Sequence, residues 1–182
     1  MDQLYFPVSA LAHVSALAAV LIASIVDLAT RRIPNEFTLT IGLLGLLFAF
    51  GVGGLPGLIG AMAGFAVVLG LLLPGFLLGF TGGGDLKLMA ALGCFLGPEL
   101  SLHAVLLYYP IGAVVALLFA VYAAWHQGRS GPFARYRVMA RTSFTSGRFV
   151  YMRPSPNESM GARLPMAPAI ACAVLAAPFL FD

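Results

Sequence analysis

Seven carboxylates stand in this 182-residue chain, and two of them, Asp27 and Asp85, sit where an acid is costly. Asp27 closes the apolar run of "ASIVDLATRRIPN", and Asp85 parts three glycines from another such run in "GFTGGGDLKLMAALGCFLG". An acid at the edge of hydrocarbon is by default a functional candidate. Two facing carboxylates suit one reaction well. Like charges a few ångströms apart cannot both ionise, so the pair shares a proton and titrates as a unit. The ionised member takes a proton from water while the protonated one donates to the scissile carbonyl or leaving amine. That chemistry is peptide hydrolysis without a covalent intermediate, a metal or any other cofactor.

Other hydrolytic plans find no support. There is no HExxH and no GxSxG, and His13, His103 and His126 fall respectively in a span, on its outer side and on its inner side. A Ser–Lys dyad would have to use Lys87, the sole lysine. Two positions from Asp85 on a helix, its side chain points away from the acid, and snorkelling to the headgroups is its expected job. Cys94 and Cys172 lie in apolar segments and form no CxxC pair, so they read as small buried hydrophobes rather than metal ligands.

Each aspartate also has a structural explanation. Asp85 could be an N-cap, and Asp27 could pair with Arg31 one turn on, worth about 0.3–0.5 kcal/mol on an exposed helix. The glycines weigh against a plain cap, because a cap needs one flexible residue and not Gly82, Gly83 and Gly84 together. Backbone without side chains permits unusual φ values and close approach of another chain, so an extended peptide substrate could bond to the main chain here. A phosphate nest is the rival reading of the run, but Asp85 would set negative charge against such a ligand.

What positions the two acids follows from composition. The chain is 60% hydrophobic and only 9% charged, against about 25% charged in soluble domains. This predicts an all-α polytopic membrane protein with a single domain over 1–182. A span needs about 20 mostly apolar residues, and six candidates run approximately Val8–Val26, Phe37–Phe50, Leu55–Leu78, Leu86–Gly97, Leu102–Trp125 and Leu164–Phe181. The second and fourth are short. Breaker signals mark the junctions in "RRIPNEF", "GVGGLPG", "FTGGGD" and "GPELS".

The basic residues sort by this threading. Arg31 and Arg32 fall in the first loop, Lys87 at the third, and Arg129, Arg135, Arg137, Arg141, Arg148, Arg153 and Arg163 in the fifth, which accounts for all ten. Cytoplasmic loops are enriched in Lys and Arg, so the odd loops are expected inside and both termini outside. The N-terminal run lacks a basic n-region and is followed by its arginines, which favours a retained helix over a signal peptide. Asp27 and Asp85 then share the cytoplasmic boundary on different helices. The loop at 126–163 mixes arginine with Phe133, Tyr136, Phe144, Phe149 and Tyr151. In a membrane protein this reads as an interfacial segment against anionic lipid rather than a nucleic-acid site.

Here a resemblance becomes specific. "TGGGDLKL" resembles the GxGD motif of membrane aspartic peptidases, read as Gly82, Gly84 and Asp85. "DLATRRIPNEFT" resembles the other signature of type IV prepilin peptidases, an aspartate six residues before "IPN". "RLPMAPAIACA" is similar to the segment that opens that family's last helix. The resemblance implies a six-helix bundle whose aspartates, here Asp27 and Asp85, remove the leader from prepilin-like precursors (Flp-type pilins or related) at the inner-membrane cytoplasmic boundary. Within the family the chain looks like the short form of tight-adherence pilus or archaeal preflagellin peptidases. Long members carry an insertion with two CxxC pairs linked to N-methylation; without such pairs, no methyltransferase activity is expected. Pro34 is expected to end the first helix, and Asn35 to cap the second, with Glu36 in its first turn. A proton-coupled transporter using the same acids as a relay is the rival class, but it requires polar residues across the bilayer, whereas these acids gather at one edge.

Overall fold

Pro34 has φ −61° and extended ψ, and its ring disfavours helix in the residue before it. The first apolar run therefore ends ahead of it and the second begins behind it. In the computed structural model, which describes residues 2–30, 33–78, 81–127, 134–148, 150, 152 and 165–180, this partition gives five helices. They are α1 (Asp2–Thr30), α2 (Asn35–Leu77), α3 (Gly83–Gln127), α4 (Ala134–Ser146) and α5 (Ala167–Leu180). No strand occurs among the described residues. The expected all-helical class is observed, and α1, α2 and α3 are long and apolar enough to cross a membrane. At 14 residues, α5 reaches only about 21 Å; the sixth expected span is thus a short apolar helix.

The chain forms two compact units, one from Met1–Gly112 with Pro165–Asp182 and one from Ala113–Leu164. In the first, α2 and α3 are not straight rods. Each contains one residue outside helical geometry, Gly54 at φ 59° and Gly97 at φ 70°, a left-handed conformation that glycine alone adopts without cost. The chain reverses at both. Asp85 and Tyr108 are 23 residues apart and would stand about 34 Å apart along an unbroken helix, yet their side chains meet at 3.5 Å. Gly45 in the first half of α2 faces Cys94 and Phe95, while Gly64 in the second half faces Gly93. One stretch of α3 therefore packs against both arms of α2. Both reversals fall in the breaker sequences "GVGGLPG" and "GPELS".

That first arm of α3 is the centre of the unit. Leu86, the run Leu88–Leu92 and Cys94 are all buried, as expected of a helix that is apolar all round. Around it pack Ala16, Val20 and Ala23 of α1, Val68 and Leu72 of α2, Ala104 and Val105 of the second arm of α3, and Ala167, Ile170 and Val174 of α5. At Gly64 and Gly93 the backbones touch: a Cβ on Gly93 would stand 2.8 Å from the Gly64 carbonyl oxygen. Small residues fill the interior, while Leu11, Leu21, Ile25, Leu39, Leu43 and Leu47 point outward. Exposed leucine in such density matches an apolar solvent.

The second unit contains the end of α3 and α4. Arg137 and Arg141 are exposed on α4, as are Val138 and Phe144. The hydroxyls of Thr142 and Thr145 bond back to the carbonyls of Val138 and Arg141, and the Val150 amide donates to Ser143 Oγ. The segment read as an interfacial basic loop, with its secondary structure left open, thus contains a helix.

Candidate active site

Asp27 lies near the C-terminal end of α1 and is 5% exposed. Its Oδ2 accepts a hydrogen bond from the Ala167 amide at 3.1 Å, and Ala167 opens α5. The first amides of a helix have no partner within it, so one of them is used to clamp this carboxyl. Met166 supplies the turn behind it, its carbonyl accepting from Ala169 and Ile170. The "RLPMAPAIACA" segment therefore delivers a main-chain donor to an acid 140 residues earlier.

Asp85 is the third residue of α3, not its cap. Gly82 occupies the cap position, its carbonyl accepting from the Leu86 amide at 3.1 Å. The Asp85 carboxyl reaches back over Gly82, where a Cβ would stand 2.8 Å from Oδ2, the backward reach of an acid at this helix position. The same Oδ2 faces the hydroxyl of Tyr108, which is 4% exposed. Asp27 lies close enough for its charge to act on Asp85. The two acids expected at one boundary are brought to one end of the bundle, from the exit of α1 and the entry of α3.

The glycine run behaves differently from its expectation. Gly83 and Gly84 are helical, and none of the three takes a left-handed φ. Their value is closeness: Gly82 lies under the Asp85 carboxyl, Gly83 against Phe76 and Gly84 against Ile33. Asn35 does not cap α2 either. Pro34 holds the cap position without a side-chain bond, while Asn35 Oδ1 accepts from Lys87 Nζ at 2.9 Å. Lys87 is exposed and turned from Asp85, so the entries of α2 and α3 are tied by a polar pair that spacing alone did not reveal. Glu36 lies in the first turn of α2 as expected. The expected Asp27–Arg31 pair lies outside the described residues. So do Arg129, Arg153 and Arg163 of the 126–163 segment.

Tyr108 and the Ala167 amide were missed by sequence reasoning. The tyrosine is one of two in "LLYYP", and only the reversal at Gly97 brings it to Asp85. A groove of about 860 Å³ opens beside Leu86 and Lys87 and runs between Leu39, Leu43 and Phe65. Among the described residues, no group of three or more His, Cys, Asp or Glu side chains could hold a metal ion.

Residues 14–117 match the model of the type IV leader peptidase family. Curated relatives include a prepilin leader peptidase/N-methyltransferase of Aeromonas salmonicida (strain A449), 35% identical over 121 residues that make up 63% of this chain and 42% of the relative. Another with the same name, from Aeromonas hydrophila, is 36% identical over 122 residues, with the same shares of the two chains. The chain thus matches less than half the length of these relatives. No solved structure shows a significant match.

Proposed function

This chain belongs to the type IV leader peptidase family, and on that premise we propose that it is a membrane aspartic endopeptidase that removes leader peptides from prepilin-like precursors. The observation that carries the reading is that Asp27, at the exit of α1, and Asp85, at the entry of α3, each have an oxygen engaged by a donor from another segment, with the charge of Asp27 acting on Asp85. One carboxyl takes a proton from water as the oxygen attacks the scissile carbonyl. The other gives its proton to the leaving amine as the C–N bond breaks. Unpaired amides in the first turn of α3, beside side-chain-free Gly82, Gly83 and Gly84, hold the substrate main chain next to the pair.

The active end faces the cytoplasm. Four apolar arms of α2 and α3, with α1 and α5, make six crossings that leave both termini outside, a reading supported by the sorting of all ten Lys and Arg residues. The basic α4 lies on the anionic inner surface of the cytoplasmic membrane. Flp-type pilins or related precursors are the proposed substrates. N-methylation is not part of the proposed activity, because the two cysteines form no CxxC pair.

The test is cleavage of a candidate prepilin by purified protein, followed by mass. Asp27→Asn and Asp85→Asn should each abolish leader removal while insertion persists, and the double variant should be scarcely worse than either, as expected of groups acting as a unit. Cleavage should survive a chelator, and the product should carry an unmethylated N-terminus. Full activity in correctly inserted Asp85→Asn protein would remove the aspartic mechanism.

A further inference from the structure

One buried tyrosine stands against the mount of Asp85 and close to the residue that precedes the mount of Asp27. Tyr108 lies on the returning arm of α3, with its Oη 3.5 Å from Asp85 Oδ2. Its ring is held on two sides. Tyr109 packs at a centroid distance of 5.9 Å and is itself anchored by donating to the Leu71 carbonyl at 2.9 Å. On the other side Gly112, one turn along, leaves room for both the Tyr108 ring edge and the Met166 methyl, at 3.8 and 3.0 Å from where a Cβ would be. Met166 immediately precedes Ala167, whose amide holds Asp27. A buried phenol needs a partner, and the acceptor available to Tyr108 is the carboxyl proposed to react.

We propose that Tyr108 is a positioning residue for Asp85: its hydroxyl orients the carboxyl toward Asp27 and the attacking water, and its ring transmits the placement of Met166 and the start of α5. This rests on the reading of Asp85 as catalytic. A separation of 3.5 Å is the outer limit of a hydrogen bond, and contacts of this kind tighten when substrate enters. The titratable groups acting on this cluster are Asp27, Asp85, Tyr108 and Tyr109; Lys87 is turned to Asn35.

Tyr108→Phe keeps the ring and removes only the hydroxyl. Cleavage by the purified full chain should show kcat lowered about 10–100-fold with KM within about twofold. The pH midpoint of kcat/KM should be displaced by about half a unit or more. Tyr109→Phe, which loses the Leu71 bond and keeps the ring against Tyr108, should lower the thermal midpoint and move the pH midpoint much less than Tyr108→Phe does. Where Tyr108→Phe fails to insert, 3-fluorotyrosine at position 108 retains the fold and changes only phenol acidity, and it should displace the pH midpoint too. Wild-type kcat and pH profile in Tyr108→Phe, or an unmoved profile with fluorotyrosine, overturns the inference while an inactive Asp85→Asn leaves the aspartic reading standing. An active Asp85→Asn overturns both.

Discussion

The two aspartates are chemically alike and differently mounted. Asp27 is gripped by a main-chain amide, which no substitution at position 167 other than proline removes, whereas Asp85 depends on a side chain and on empty space over Gly82. The space is testable. In Gly82→Ala the new methyl would stand 2.8 Å from Asp85 Oδ2, inside contact distance, so the carboxyl must turn. A displacement of about 1 Å at a reacting group costs up to about 100-fold; kcat for leader cleavage should fall about 10–100-fold with the helical circular-dichroism signal unchanged. The Asn35–Lys87 bond belongs to support rather than chemistry. Asn35→Ala and Lys87→Ala should each lower stability by about 0.5–1.5 kcal/mol, and the double variant should be no worse than the single ones, as thermal unfolding in detergent would show. Sequence alone singled out Asp27 and Asp85 as candidates, because an acid between apolar runs stands out against its neighbours. It did not locate their partners: an amide is invisible as a residue type, and Tyr108 resembles any aromatic in a span until the chain is folded back.

The reversals at Gly54 and Gly97 turn two long helices into four arms and so decide which residues meet. Gly54→Ala places a Cβ in the left-handed region, which costs about 1–2 kcal/mol, and the reversal should loosen without being lost. Gly93→Leu should be far more damaging. Its side chain would enter the Gly64 backbone, and neither backbone can yield in a packed bundle; loss of folded protein in detergent, measured by gel filtration and trypsin resistance, is the expected outcome. At this scale much was legible. Runs of apolar residues set the arms, and Gly and Pro clusters marked each break because few other residues tolerate a tight reversal. The helix α4 was not legible, since "ARYRVMARTSFTS" carries charge on several faces and no apolar stripe. The entry to α3 was read as loop because glycine is a poor helix former, yet Gly83 and Gly84 are helical there. Gly83 packs closely against Phe76 and Gly84 against Ile33, and such tertiary packing outweighs propensity.

For the whole molecule, membrane and site are one problem. The first unit places small residues inside and leucines outside, so water cannot be its solvent over most of its length, yet the proposed hydrolysis needs water at the acids. The conflict is resolved if the end holding Asp27, Asp85 and the Lys87–Asn35 pair reaches the interface while the Gly54 and Gly97 reversals reach the other face. The proposed direction follows from charge: Arg31, Arg32 and Lys87 flank the two acids in sequence, and cytoplasmic loops are enriched in Lys and Arg. Reporter fusions at Glu36 and Arg141 should therefore read as cytoplasmic, and fusions at Gly54 and Glu99 as external. The two external positions are the sensitive ones, because each lies within three residues of a reversal. A cytoplasmic signal at Gly54 would mean that α2 does not return across the bilayer as two arms. The acid end of α3 would then open on the opposite side from the arginines, and a leader exposed in the cytoplasm could not reach Asp85. An external signal at both Gly54 and Glu99, with Glu36 cytoplasmic, leaves Asp27 and Asp85 in the same compartment as a newly made precursor, where cleavage at the membrane boundary requires them.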